Sequence, residues 1–448
     1  MSDILIEDTV VARATPSGTG GVALVRLSGP EAFKIGLKLT DIKEIKPRVA
    51  VLTTICDSDG AKIDEGLAVF FPAPYSYTGD DVVELNIHGS DIIAMQVVDS
   101  CLTYGARMAR PGEFTERAFH AGKMDLIQAG AVCDLIHARS KEAARAALQS
   151  LQGRFSDQVK QLQEQLMTMR MYVESSIDFS EEEVDLLSDK AFLGHLHQLK
   201  QSLVRIFQQA QSGHLLNQGL RLAIIGPTNA GKSSLMNWLT QMDTSIVTSI
   251  AGTTRDVIKE QVVLEGIPVT LIDTAGLRQS DDVVEQHGIA RVQNEVMQAD
   301  RIWLVLPADQ YTPDDAKRFW VENFPKVDWP DDQITVVMNK VDLVQSNYGD
   351  DTVSLSVLNN QGKESLLSTL TDGISFQEGA ISVRQSQLHA LKLVKQHIES
   401  AYQPIEDHQL DIAAEELSLA QQALSELTGE VTQEDVLSTI FSEFCIGK

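Results

Sequence analysis

Cysteine is scarce in this chain and scattered. Cys56, Cys101, Cys133 and Cys445 are its four cysteines in 448 residues, and no two stand in C-x-x-C spacing. That excludes a zinc ribbon or a disulfide framework and suits a reducing compartment. Long apolar runs are also missing. No stretch approaches the roughly 18 apolar residues a spanning helix needs. The N-terminal "MSDILIEDTVVARATPSGTG" lacks the basic start and apolar run of a secretory signal, so the expected location is cytoplasmic, with no membrane partner. Positive charge is short as well: 37 Lys and Arg face 63 Asp and Glu, a net charge of −26. A field of that sign repels phosphate backbones and excludes non-specific coating of nucleic acid, leaving only a local basic patch or a partner's surface. No dinucleotide fingerprint follows the first strand, so redox-cofactor chemistry would have to come from a partner.

What is present is enough for two or three packed domains, with 43% hydrophobic and 22% charged residues. Over residues 1–118, short apolar runs alternate with turns ("TVVARA", "GVALVRLSG", "RVAVLTTI", "GLAVFF", "VVELNIHGS"), which predicts a mixed α/β domain. Residues 119–216 read as helical. Leu148, Leu151, Phe155, Val159, Leu162, Leu166, Met169 and Val173 fall on one stripe of what reads as a single helix on the order of 40 Å long. The spacing suits a bundle seam, with Gln152, Gln158, Gln161 and Gln165 on a wet face. A second α/β pattern spans 217–378, and residues 379–448 return to helix, as if the second α/β unit were inserted into a helical domain.

The chemistry is concentrated in that insert. "LRLAIIGPTNAGKS" runs an apolar strand into Gly226-x-x-x-x-Gly231-Lys232-Ser233 and then a helix. Backbone N–H groups at a helix N-terminus can cradle phosphates there, Lys232 can reach the β- and γ-phosphates, and Ser233 can hold Mg²⁺. "LIDTAG" follows, with Asp273 ending a strand beside the Mg²⁺ shell and Gly276 placed to sense the γ-phosphate. Between them, "IAGTTRD" offers Thr253 and Thr254 as a switch that closes over the nucleotide. "ITVVMNKVD" then supplies Asn339, Lys340 and Asp342. A carboxylate accepts from both N1–H and the exocyclic amine of guanine, whereas adenine presents an unprotonated N1. The order of these four elements therefore predicts a GTPase.

One habitual element is absent. The residue after D-x-x-G, often a Gln that orients the attacking water, is Leu277. "RQSDDVVEQHG" offers Asp281, Asp282 and Glu285 instead, and spacing does not choose among them. Arg255 and Arg278 both stand where an arginine finger or a plain salt bridge would serve. Asn229 can point an oxygen at a monovalent cation beside the phosphates.

The motifs "GGVALVRLSG", "YTGDDVVEL", "RPGEFTERAF", "GPTNAGKSSLMN", "IAGTTRD", "DTAGLR", "VEQHGIAR" and the terminal "FCIGK" together resemble one family across essentially the whole chain, the tRNA modification GTPases known as MnmE or TrmE. The resemblance implies an N-terminal domain that binds 5-formyl- or 5,10-methylene-tetrahydrofolate and forms a homodimer, a helical domain, and an inserted Ras-like P-loop GTPase domain. It implies assembly with an FAD-containing partner of the MnmG/GidA family. That assembly adds an aminomethyl or carboxymethylaminomethyl group to C5 of the wobble uridine of certain tRNAs.

Carried over residue by residue, the resemblance gives the phosphate contacts to Asn229, Ala230, Gly231, Lys232, Ser233 and Ser234. The switch contacts fall to Thr248, Ser249, Ile250, Ala251, Gly252, Thr253 and Thr254, followed by Asp273, Thr274, Ala275 and Gly276. The guanine contacts fall to Asn339, Lys340, Val341 and Asp342 and to Ser356, Val357 and Leu358, the last standing where a basic residue is common. Ser233 and Thr254 would hold Mg²⁺, and Asn229, Thr248, Ile250 and Thr253 would hold K⁺, which with G-domain dimerisation activates hydrolysis. Glu285 would organise the water. Arg26, Glu84, Lys123 and Lys448 match the family's folate contacts; read without the family, Arg26 is a surface charge and Glu84 an edge-strand residue. Ser90 replaces the glycine common at the end of "HGG", which matters if a positive φ is needed there.

A ribosome-assembly or translation GTPase sharing only this domain type is the rival reading, and the basic run such a protein needs for RNA is missing. The tail has the outline of a lipidation box, but its final Lys and the lack of a polybasic approach argue against prenylation. Phe441 and Phe444 on an amphipathic helix would instead carry Cys445 into position, for chemistry or for placement alone.

Overall fold

Strand β2 (Gly20–Ser28) shows how alternation builds the first sheet. Ala23, Val25 and Leu27 are fully buried on one face, which leaves Leu24, Arg26 and Ser28 on the other. With β1 (Val10–Arg13), β3 (Val51–Cys56), β4 (Lys62–Phe71), β5 (Val82–Gly89) and β6 (Arg107–Met108) it forms a six-stranded sheet in the order β3-β4-β5-β2-β1-β6. Only the β1–β6 pair is parallel. Helices α1 (Ala32–Lys38) and α2 (Asp91–Thr103) cover the core face. All five strands expected from apolar alternation are present.

The computed structural model describes residues 8–43, 45–178, 190–242, 259–273, 293–325, 328–344, 348, 349, 351–371, 379–428, 444 and 447, the side chains of 242, 259 and 273 excepted. The chain forms two compact units: Met1–Cys133 with Leu151–Ser188 and Leu393–Lys448, and Asp134–Ser150 with Asp189–Lys392. No described helix is long and apolar enough to cross a membrane.

In the first unit, α3 (Glu113–His120) docks through an ion network that "RPGEFTERAF" encodes. Arg117, 3% exposed, donates to Asp8 Oδ1 at 2.8 Å and lies 3.2 Å from Glu113 and 3.3 Å from Asp80. Glu113 also accepts from Arg107 (2.9 Å) and from the Arg110 backbone N–H (2.8 Å). Burial pushes the Glu113 carboxyl up, yet the hydrogen bonds and charges of Arg107 and Arg117 outweigh it and hold the group below its ordinary range. A depressed folded-state pKa contributes stability that is present above the usual carboxylate range and lost as pH falls through the lowered value. Glu113→Gln should therefore lower the stability of the sheet domain by about 3 kcal/mol at neutral pH. Thermal unfolding monitored against pH should show the gap to wild type narrowing below the usual carboxylate range, and a gap constant with pH would refute the assignment.

After α4 (Leu126–His137), the expected single long helix is two: α5 (Lys141–Leu151) and α6 (Arg154–Asp178). The break is at Gly153, whose φ of 88° no continuing α-helix allows. Gln128 Nε2 donates to the exposed end of α5 at Leu151 O, 3.0 Å away. Beyond the break the stripe holds: Phe155, Val159, Leu162, Leu166, Met169 and Val173 are fully buried. They form the seam expected of a bundle helix. Leu148 falls outside it and is 44% exposed. Helix α7 (Lys190–Gln218) closes this stretch.

The second sheet contains β7 (Leu220–Ile225), β8 (Lys259–Leu264), β9 (Ile267–Asp273), β10 (Arg301–Pro307), β11 (Ile334–Asn339) and β12 (Thr352–Leu355), ordered β12-β11-β10-β7-β9-β8. Only β8 runs antiparallel to its neighbour. Its helices include α8 (Lys232–Met242), α9 (Asp315–Asn323) and α10 (Lys363–Thr371). Then follow α11 (Gln385–Glu406) and α12 (Leu410–Thr428), and α12 packs along α6.

Candidate functional site

Parallel strands present their carboxyl ends at one edge, and a ligand crevice forms where the chain turns opposite ways from neighbouring strands. Strand β7 is that point here, flanked by β10 and β9. Ile224 pairs in register with Asp273, Pro307 with Asn339, and Asn339 with Leu355. Segments spread from Ile224 to Leu355 therefore end along one edge of the sheet.

The loop after β7 is shaped by backbone no ordinary residue adopts cheaply. Gly226 has φ 150° and Gly231 φ 93°; a Cβ at Gly226 would lie 2.1 Å from Val305 O, and one at Gly231 2.3 Å from Asn339 Nδ2. Asn229 itself sits at φ 63°, a left-handed conformation that asparagine tolerates better than most non-glycine residues. Lys232 Nζ lies at the centre, donating to Gly226 O (2.7 Å) and Pro227 O (2.9 Å). Ser233 and Ser234 are exposed in the first turn of α8, where N–H groups without intrahelical partners favour anions.

The side expected to face the base is built from two loops. Asn339, 3% exposed, donates from Nδ2 to Ala230 O at 2.8 Å and so locks the phosphate loop to β11. Its Oδ1 is buried without a hydrogen-bond partner, a cost relieved when a ligand supplies a donor. Lys340 takes φ 62°, and Asp342 follows in a short 3₁₀ turn (Val341–Leu343). Ser356, fully buried, donates from Oγ to Asp342 Oδ1 at 2.6 Å and accepts from the Asn359 N–H at 3.2 Å. The second loop thus orients the carboxylate that the first supplies. Leu358 stands at its tip, 85% exposed. Asn360 Oδ1 accepts from Trp238 Nε1 (3.2 Å), a buttress from α8 that the sequence reading missed, since nothing local pairs residues 122 positions apart.

Of the expected contacts, Asn229–Ser234, Asn339–Asp342 and Ser356–Leu358 are brought to this edge, and β9 ends on Asp273. Thr248, Ser249, Ile250, Ala251, Gly252, Thr253, Thr254, Thr274, Ala275, Gly276 and Glu285 lie outside the described residues, as do Asp281, Asp282, Arg255, Arg278, Cys445 and Lys448.

The second cluster is on the first sheet. Strand β5 lies between β4 and β2, so Glu84 is not an edge residue, and Arg26 is its register partner. Arg26 Nε and Nη2 each lie 2.8 Å from Glu84 Oε1, with side chains 13% and 20% exposed. Read alone as a surface charge, Arg26 is instead mostly buried, because the Tyr77 and Phe114 rings flank its guanidinium at 5.7 and 5.6 Å. Tyr77 is held through its hydroxyl, 2.9 Å from Thr115 Oγ1, and burial pushes its phenol pKa up. Lys123 lies beside the same loop: a Cβ at Gly79 would be 3.7 Å from its Cε. Ser90 is extended (φ −115°) at the start of α2, so no glycine is needed there. A mostly buried guanidinium–carboxylate pair between aromatic rings offers an acceptor edge and a cation on one apolar-walled surface, a donor set that fits a flat heterocycle with amide-like edges.

Residues 9–123 match the family model described as GTP-binding protein TrmE N-terminus, and residues 126–445 match the MnmE helical domain. The chain is 43% identical over 453 residues to the tRNA modification GTPase MnmE of Vibrio vulnificus, covering 98% of this chain and 99% of that one. It is 44% identical over 451 residues to the protein of the same name from Dichelobacter nodosus, covering 99% and 100%. A third, from Legionella pneumophila (strain Corby), is 44% identical over 451 residues, covering 98% and 99%.

Proposed function

The chain belongs to the MnmE (TrmE) family of tRNA modification GTPases, and on that footing we propose that it couples GTP hydrolysis to modification of C5 of the wobble uridine in tRNA. It works in the cytoplasm as a homodimer, in a heterotetramer with an FAD-containing MnmG/GidA-family protein. A tetrahydrofolate supplies the one-carbon unit of the aminomethyl or carboxymethylaminomethyl group. Residues 1–118 bind folate and dimerise, 217–378 form the GTPase domain, and 119–216 with 379–448 form the helical domain.

The observation that carries the donor part is the Arg26–Glu84 pair. Glu84 would accept from the guanine-like donor edge of a pterin, while Arg26 and Lys123, with Lys448, offer cations to its polar ring and glutamyl tail. Dimerisation is supported by the same sheet face: Leu52 and Leu67 are register partners, 66% and 40% exposed, and Leu67 lies two residues from Val69, the partner of Glu84.

In the GTPase domain, Lys232 and the loop N–H groups bind and orient the phosphates, Asp342 selects guanine, and Asn339 ties the two together. Ser233 and Thr254 would hold Mg²⁺; Asn229, Thr248, Ile250 and Thr253 would hold K⁺. When bound, these ions supply positive charge against the charge that develops on the transferring phosphoryl group. Glu285 would orient the attacking water, the task Leu277 cannot perform.

Nucleoside analysis of substrate tRNA after reconstitution with the flavoprotein partner, GTP, K⁺ and a folate donor tests the whole reading. Omitting any one component is expected to abolish the modified nucleoside. Exchanging K⁺ for Na⁺ should lower GTP turnover at least tenfold, and equal rates in the two salts would remove the cation from the scheme.

A further inference from the structure

The penultimate residue of the chain is packed into the Arg26–Glu84 site in a way only glycine permits. Gly447 has φ 98°, and a Cβ on it would lie 2.4 Å from Arg13 O, 2.7 Å from Ala14 Cα and 3.0 Å from Arg13 C. These are backbone atoms, and they are fixed: Ala14 N donates to Leu24 O (2.7 Å), and the Arg13 guanidinium donates to Gly18 O (3.2 Å). Pressed against that wall, Gly447 aims its carbonyl at Arg26, accepting from Nη1 at 3.3 Å. Three residues earlier, Phe444 is 4% exposed in an apolar cluster with Leu126, Ala129 and Cys133.

Arg26 is thereby held on every side. Aromatic rings flank its plane, Glu84 takes the Nε–Nη2 edge, and Gly447 takes Nη1. A guanidinium fixed on both edges has one orientation to offer a ligand, and loss of either partner frees the planar group to turn.

We propose that Gly447 is a positioning residue of this site: its left-handed backbone seats the chain end on β1, and its carbonyl sets the plane of Arg26. The ligand's identity rests on the folate reading given above. Docking of the chain end and binding of ligand then stabilise one another, and linkage makes the effect reciprocal.

The test measures tetrahydrofolate affinity by calorimetry and amide hydrogen exchange in the C-terminal peptide, in the full-length protein. In Gly447→Ala, affinity is expected to fall about tenfold, and exchange in the peptide to quicken by a similar factor. Folate should slow that exchange in wild type and leave it unaltered in the variant, a difference that mere local destabilisation does not produce. Arg26→Gln, which leaves the glycine in place, should quicken exchange of the peptide with no ligand present. Wild-type affinity in Gly447→Ala, or wild-type exchange in Arg26→Gln, overturns the proposal. A wild type that binds no folate removes the ligand reading alone, and the Arg26→Gln exchange comparison then decides the positioning role.

Discussion

Changing Asp342 to Asn is expected to lower kcat/KM for GTP by roughly 10⁴-fold and to raise it for xanthosine triphosphate. On the proposed reading, the carboxylate accepts from two neighbouring donors of guanine, N1–H and the exocyclic amine. An asparagine amide keeps one acceptor but turns an N–H₂ toward that amine, so two donors face each other in a site built for pairing. Sites that hydrogen-bond a specific group reject analogues that leave those bonds unmade by about 10⁴–10⁵. Xanthine carries an oxo group in place of the amine, and the amide of the variant then matches it at both positions. The substitution is close to isosteric, and Ser356 Oγ, 2.6 Å from Asp342 Oδ1, can donate to an amide oxygen equally well. The loop should therefore keep its shape while the specificity changes. Steady-state rates with both nucleotides check this. Retained GTP activity without gain on xanthosine triphosphate would show that the base is read elsewhere.

That pair also marks where sequence reasoning stops. Asp342 was legible because its motif is local: a strand, a turn and four residues in fixed spacing. Ser356 was placed near it only through family resemblance, since a hydrogen bond across 14 residues depends on β11 and β12 lying in register. Arg26 shows the same limit more sharply. Alternation in β2 correctly puts it opposite the core, where an isolated strand face would be wet. Its burial comes from Tyr77, Phe114 and Gly447, none of them near it in sequence. The ion network of α3 was not read from the sequence, although Glu113 and Arg117 have helical i, i+4 spacing. The arms to Asp8 and Asp80 needed the fold. The long helix was misread for a different reason: apolar spacing continues across Gly153, and periodicity carries no information about φ.

The tail that raised the question of lipid attachment is better explained by contacts than by its letters. Phe444 lies in an apolar cluster, as an amphipathic reading of the segment expects, and Gly447 lies against backbone in a conformation closed to other residues. Both contacts fall within the unit that holds the Arg26–Glu84 pair, whereas the phosphate loop belongs to the other unit. The two candidate sites therefore sit in different compact units of one chain. A defect in one can be read against the other as an internal control.

Lys232 offers that comparison at its largest. Lys232→Ala should lower kcat/KM for GTP hydrolysis by at least about 10³-fold. The ammonium is held over the phosphate loop by Gly226 O and Pro227 O, with the first turn of α8 beside it. Its charge is positioned before the nucleotide arrives, so little reorganisation is needed when negative charge shifts among the phosphoryl oxygens. Removing a single preorganised neutral donor already costs about 10²–10³ in rate, and a full charge at closer quarters costs more. Arginine should not rescue it. A planar guanidinium cannot place one compact cation against both carbonyls and a phosphate, and Gly231 and Asn339 leave no slack for the loop to widen. Stability, by contrast, should change by only about 1 kcal/mol, the net worth of a typical hydrogen bond: Lys232 is only half-buried, so water can enter where it stood and reach Pro227 O and the buried Gly226 O. Turnover and thermal unfolding measured on the same preparation separate these effects. A variant within tenfold of wild-type turnover would mean that the loop N–H groups and bound cations carry the phosphates without the lysine.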